Sequence, residues 1–190
     1  MHTSEQTMLL ALARESIESS LGLISTEVFD TINKSPSSIY QERRGLFVTL
    51  KKHDGENSYA LRGCIGNLIG ISSLAESVAD LAREAAFHDP RFSAVCLDEM
   101  EALVIEISVL TKPERISSYE QIRIGLDGVL LSKGNNRAVF LPQVASEQGW
   151  KTEEMLEHLC MKAGLSPTSW RDNRCELQVF QAEVFSEDEP

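Results

Sequence analysis

The chain is short of basic residues. Lys and Arg number 18 against 29 Asp and Glu, a net charge of −11. Phosphate contacts need clustered cations, so this balance argues against a nucleic-acid partner. Long apolar runs are missing as well. The stretch Met8 to Ala13 is brief and runs into Arg14 and Glu15, so neither a secretory leader nor a membrane span is expected. The four cysteines, Cys64, Cys96, Cys160 and Cys175, include no CxxC pair. This excludes the usual disulfide frameworks and structural zinc sites and fits a reducing cytoplasm. His2, His53, His88 and His158 show no metal-ligand spacing, so no metal is expected. Gly63, Gly66 and Gly70 match neither the dinucleotide fingerprint nor a P-loop with its lysine. They leave room only for a backbone anion nest, and no cofactor is implied.

What is present is an ordinary globular composition, 42% hydrophobic and 25% charged over 190 residues, enough for one domain with two lobes and an unstapled core. Thr3-x-x-Gln6 reads as a capping box, and Met8, Leu9, Leu12, Ala13, Ile17 and Leu21 recur at helical spacing, predicting a helix from Ser4 to Leu21 that Gly22 ends. Ser35 to Ser38 reads as a loop, Gly45 to Lys51 as a strand, His53 to Asn57 as a polar turn and Ser58 to Ile65 as the returning strand. Ser73-x-x-Glu76 opens a second helix with Leu74, Val78, Leu81, Ala82 and Ala85 on one face. Asp89-Pro90 forces extended chain after it, and Leu103 to Leu110 is a β-branched strand. The second half repeats this grammar. Gly128 to Ser132 and Arg137 to Leu141 form a hairpin, helices span Pro142 to Gly149 and Thr152 to Ala163, Gly164 caps the latter, and Cys175 to Phe185 is the last strand. The order of hairpin, helix and strand, given twice, predicts an internally duplicated α+β fold. The acidic end from Glu183 to Pro190 is expected to be solvated, with residues 1–4 and 186–190 frayed.

The most informative segment is Leu61-Arg62-Gly63-Cys64-Ile65-Gly66. Two glycines inside a strand mark a bend or a close approach by a backbone or ligand. Arg62, two residues from Cys64, would share its strand face and favour a thiolate. The segment fits a thiol or ligand site, and it also fits a packing joint in which a small inert cysteine fills a gap.

Several further blocks occur with it in order: Ala85-Ala86-Phe87-His88-Asp89-Pro90-Arg91-Phe92, Ile105 to Leu110, Phe140-Leu141-Pro142-Gln143-Val144-Ala145, Gly149-Trp150 and Lys162-Ala163-Gly164-Leu165. Together, over roughly residues 5 to 185, they resemble the AMMECR family, whose prokaryotic members are called AmmeMemoRadiSam system protein A. The resemblance implies a two-lobed α+β fold with both termini in the larger lobe. It implies the hexapeptide Leu61, Arg62, Gly63, Cys64, Ile65 and Gly66 as candidate site. It also implies association with a Memo-type protein and a radical-SAM-type protein. It implies no settled activity.

His88 and Asp89 could complete a Cys-His-acid set with Cys64, or His88 could cap its helix while Asp89-Pro90 sets the turn and Arg91 pairs with an acid. A helix packed back along its own strand would end near Ser58, which predicts no contact between His88 and Cys64, while Arg91 or Phe92 could still line the same cleft. Arg43, Arg44, Lys51 and Lys52 read as a solvated strand end, and Trp150 and Trp170 as core or lobe-interface anchors. The favoured reading is an adaptor that docks a partner through the Leu61–Gly66 surface together with Arg91. The alternative is a thiol-dependent enzyme or small-ligand-binding protein centred on Cys64.

Overall fold

Apolar residues at helical spacing near the N-terminus form α1 (Thr3–Ser20), which buries Leu9, Leu12, Ala13 and Ile17. A computed structural model describes residues 1–23, 26–53 and 58–188. Beyond His53, the polar turn expected up to Asn57 lies outside the described residues. The chain forms two compact units, residues 1–109 with 183–190, and residues 110–182. Both termini belong to the first, larger unit.

In unit 1, α1 is followed by α2 (Glu27–Lys34), then by strands β1 (Leu46–His53) and β2 (Tyr59–Asn67), helix α3 (Leu74–Phe87) and strand β3 (Leu103–Leu110). The sheet order is β2-β1-β3-β8, the last strand being β8 (Ala182–Ser186). β1 pairs antiparallel with both β2 and β3, and Leu46, Val48 and Leu50 lie opposite Val109, Ile107 and Ile105 in a fully buried row. Period-2 alternation puts Phe47, Thr49 and Lys51 on the other face, which is only partly covered. Helix α3 lays Leu74, Val78, Leu81, Ala82 and Ala85 on the core, as its spacing predicts, and Ser73 and Glu76 cap it reciprocally, with Ser73 N–H donating to Glu76 Oε2 at 3.1 Å and Glu76 N–H to Ser73 Oγ at 3.3 Å.

Unit 2 contains β4 (Glu114–Arg115), β5 (Gly128–Lys133), β6 (Asn136–Phe140), α4 (Pro142–Gln148), α5 (Thr152–Lys162) and β7 (Glu176–Phe180). Its sheet order is β6-β5-β7-β4, the same plan as unit 1 with β5, β6 and β7 in the places of β1, β2 and β3. The duplication is therefore present in the fold, which is α+β with antiparallel pairing. The fourth strands are exchanged in connectivity: the chain leaving β3 supplies β4 to unit 2, and the chain leaving β7 supplies β8 to unit 1.

Three sequence expectations need correction, and one helix was not foreseen. The cap of α1 is His2, whose N–H donates to Glu5 Oε2 at 2.8 Å, rather than Thr3 with Gln6, because the helix begins one residue earlier. Cys175 to Phe185 is not one strand but two, β7 and β8, in different sheets. The acidic end is not solvated from Glu183 onward. Phe185 is buried, and the Glu187 carboxylate receives Nε and Nη2 of Arg14 at 2.7 Å each and the Ile105 N–H at 2.8 Å. Helix α2 was not legible. It buries only Ile32, and its first N–H groups, those of Val28 and Phe29, are satisfied by the buried carboxylate of Glu15 on α1, a contact no local pattern announces. Among the described residues, no helix is long and apolar enough to cross a membrane.

Candidate functional site

The hexapeptide lies within β2, an edge strand of the unit 1 sheet. Leu50 pairs with Gly63 while Lys51 pairs with Leu61, so Arg62 is an extra residue, a β-bulge. The bulge breaks the period-2 alternation on which the sequence argument rested. Cys64 lies opposite Thr49, on the face away from α3, whereas the Arg62 side chain forks onto Glu99, with Nε to Oε1 at 3.0 Å and Nη2 to Oε2 at 2.9 Å. Its charge is thus neutralised by a carboxylate and is not directed at the thiol.

The glycines serve close packing. A Cβ on Gly63 would lie 2.2 Å from the carbonyl oxygen of Ala85, so the last turn of α3 rests directly on the strand backbone. A Cβ on Gly66 would meet the Phe47 ring at 2.2 Å and Leu46 O at 2.6 Å, and one on Gly70 would meet Arg44 N at 2.2 Å. None of the three has positive φ, which removes the anion nest. The contact at Gly63 also corrects the expected position of the helix end. The stretch between Asn67 and Ser73 carries the chain past the end of β2, so the returning helix of 14 residues ends at Gly63 rather than at Ser58.

Cys64 is half-buried, and each of its polar groups is engaged. Its Sγ accepts from Thr49 Oγ1 at 3.3 Å, its N–H donates to Asp89 Oδ2 at 2.9 Å, and its carbonyl accepts from Arg91 Nη2 at 3.2 Å. Asp89 is buried and also receives the Arg91 N–H at 3.1 Å, Nε at 3.0 Å and Nη2 at 2.7 Å. The Arg91 side-chain hydrogen bonds, joined by the backbone N–H groups of Cys64 and Arg91, hold the Asp89 carboxyl well below its usual range against the opposing effect of burial. The loop after α3 is thereby pinned to the strand edge at Cys64, and Arg91 bonds to the hexapeptide there. His88 turns away. It ends α3 and its Nδ1 lies 3.3 Å from Glu84 Oε1, with a side chain 64% exposed. No contact joins it to the sulfur among the described residues.

The strand-end cluster of Lys51 and Lys52 is ion-paired rather than merely solvated: Lys51 Nζ reaches Glu106 at 2.5 Å and Lys52 Nζ reaches Glu99 at 3.5 Å. Sequence reasoning missed Thr49 and Glu99. A hairpin centred on the expected turn would place Thr49 opposite residue 61, at the start of the hexapeptide and three residues short of its actual partner, Cys64. Glu99 is 37 residues from Arg62 and gave no local signal.

Glu99 makes the joint sensitive to acid. The Arg62 fork, helped by the Cys96 N–H and by Lys52, lowers its carboxyl from 4.5 to about 2 against the effect of burial. A depressed folded-state pKa contributes stability that is present above the unfolded value and lost as pH falls through the folded one. We therefore expect the urea midpoint to fall as pH drops from 4.5 to 2, and Glu99→Gln to flatten that limb. An unchanged acid limb in the variant would show that the fork does not contribute.

Clefts away from the hexapeptide include one of about 480 Å³ among α1, α2 and α3 in unit 1 and one of about 690 Å³ in unit 2, neither of them lined by residues 61–66. No group of three His, Cys, Asp or Glu among the described residues is placed to hold a metal ion.

These features define a two-unit α+β protein in which a glycine-bearing edge strand is clamped by an Asp-Arg loop. The AMMECR1 family model matches residues 10–185, and the chain belongs to that family. It is 42% identical over 163 residues to a protein of Methanocaldococcus jannaschii, covering 83% of this chain and 80% of that one. It is 40% identical over 187 residues to a protein of Pyrococcus furiosus, covering 96% and 88%. A crystal structure of an uncharacterized protein from Pyrococcus horikoshii matches with a TM-score of 0.71 at 39% identity, over 96% of this chain and 91% of that one.

Proposed function

We propose that this protein is a non-catalytic adaptor that docks a partner protein on the outer face of β2 and the loop that follows it. The observation that carries this reading is a set of exposed apolar side chains at both ends of the hexapeptide: Tyr59 before it and Leu61 at its start, 41% and 44% exposed, and Ile69 and Ile71 after it, 67% and 74% exposed. Large apolar groups grouped at the surface mark interaction sites more often than chance exposure does. The backbone N–H and C=O of Cys64 are already bonded to Asp89 and Arg91, so a partner cannot add a strand at that point and must dock through side chains. By family resemblance, the partner is a Memo-type or radical-SAM-type protein.

The competing reading, a thiol-dependent site at Cys64, draws on the Thr49 hydroxyl at the sulfur. It lacks a base: His88 pairs with Glu84, and Arg62 is committed to Glu99. Calorimetric titration with the Memo-type and radical-SAM-type proteins of the same genome tests the adaptor reading. Binding to one of them is expected, weakened by roughly tenfold or more in Leu61→Asp or Ile71→Asp, and unaffected by Cys64→Ser. No binding to either, with Cys64 alkylated at neutral pH far faster than Cys96, Cys160 and Cys175, would replace it with the thiol reading.

A further inference from the structure

Five arginines of this protein are paired in one way. Arg14, Arg62, Arg91, Arg123 and Arg174 each fork through Nε and Nη2 onto a carboxylate, at distances from 2.7 to 3.2 Å. The other six do not, and two of these, Arg115 and Arg171, line the cleft of unit 2. Arg115 lies 3.1 Å from Glu176 without hydrogen-bond alignment. Arg171 lies 3.8 Å from Glu153, too far for a hydrogen bond. Neither guanidinium makes a hydrogen bond among the described residues. Instead, the Arg171 guanidinium sits over the Trp170 ring, 4.7 Å from its centroid. That arrangement holds the planar fork in place while leaving its edge donors unused.

A third donor beside the cleft, shielded from solvent, is also unused. Trp170 is 8% exposed, and its Nε1–H is buried with no acceptor among the described residues. A buried N–H of this kind normally finds a partner. Three carboxylates line the cleft as well. Glu153 accepts from the Tyr119 hydroxyl at 3.2 Å, Asp172 receives Arg174 and, at 3.1 Å, Lys133, and Glu176 faces Arg115. An oxyanion entering the cleft would therefore compete with Glu176 for Arg115 and with Glu153 for Arg171.

The remaining lining is apolar. Ile116 and Leu177 contribute aliphatic surface, and Tyr119 meets Trp170 edge to face with centroids 4.9 Å apart. Cys175 lines the cleft too, and burial pushes its thiol up, so it stays protonated and adds no nucleophile. A volume of about 690 Å³ lies within the range of small-molecule sites.

We propose that the cleft of unit 2 binds a small organic oxyanion with a flat apolar body, its carboxylate or phosphate taken by Arg115 and Arg171 and its body laid against Tyr119 and Trp170. The site is separate from the hexapeptide and from the partner-docking surface proposed above, and the two stand or fall independently.

The test uses the indole N–H resonances of the ¹⁵N-labelled full chain. There are two tryptophans, and Trp150, which is stacked on His158 and does not line the cleft, serves as an internal reference. Phenylacetate, phenyl phosphate and, as a neutral control, benzyl alcohol are titrated to millimolar concentration. A saturable shift of the Trp170 signal with at least one anion, absent with the alcohol, is expected. Which anion acts identifies the oxyanion. Arg171→Gln and Arg115→Gln, both at exposed side chains that leave the core intact, should each weaken binding by roughly tenfold. No shift with either anion, an equal shift with the alcohol, or undiminished binding in both variants would overturn the proposal.

Discussion

Alanine at Gly63 should destabilise unit 1 by about 3 kcal/mol and lower its melting temperature by about 6–12 °C. The added methyl would lie 2.2 Å from the Ala85 carbonyl oxygen, and that atom belongs to a helix backbone that cannot swing aside as a side chain would. Relief requires lifting the last turn of α3 from the sheet. That turn carries Ala85 and Ala86, both almost fully buried, so apolar contacts are lost along with the strain. Gly66→Ala meets a mixed obstacle, the Phe47 ring and the Leu46 carbonyl oxygen, and should cost less because the ring can rotate. Thermal denaturation of both variants decides the matter. If both melt with the wild type, the close approach does not contribute to stability.

Removing the Asp89 carboxylate should have the next largest effect. Asp89→Ala strips the acceptor from the Cys64 N–H and from three donors of Arg91 at once, at a buried position. A loss of about 2 kcal/mol is expected. It should be accompanied by faster hydrogen exchange at the Cys64 amide, by at least roughly tenfold relative to the amides of β3. Asp89→Asn keeps one oxygen and should fall between the two. An unchanged Cys64 amide in Asp89→Ala would mean that the loop does not hold the strand edge.

Much of this architecture could be read from residue patterns. The Ser73–Glu76 cap, the apolar stripe of α3, the β-branched run Leu103–Leu110 and the glycine caps at Gly149 and Gly164, both left-handed in the structure, are local signals with local causes. The repeated hairpin, helix and strand order was legible for the same reason. The details of the site were less so. A bulge at Arg62 cannot be seen in a sequence, yet it separates Arg62 from Cys64 and sends it to Glu99. Asp89 reads as a turn residue or as the acid of a Cys-His set, and its bond to the Cys64 amide, 25 residues away, gives no local signal. Why two glycines flank Cys64 became clear only when the Ala85 carbonyl and the Phe47 ring were placed against them.

The exchange of fourth strands has a consequence for how the protein is made. On the ribosome, every strand of unit 2 has been synthesised before β8 emerges, so that unit can close its sheet first. Unit 1 must wait. Its β1, β2 and β3 can assemble early, but the β3 edge stays open until the last residues arrive, and Arg14, near the start of the chain, meets its Glu187 partner only then. A nascent chain halted before Ala182 would thus present an unpaired strand edge to its neighbours, a ready template for aggregation. The segment 182–187 acts as a latch on the first unit, and an insertion close to Glu187 would burden the element that finishes its sheet.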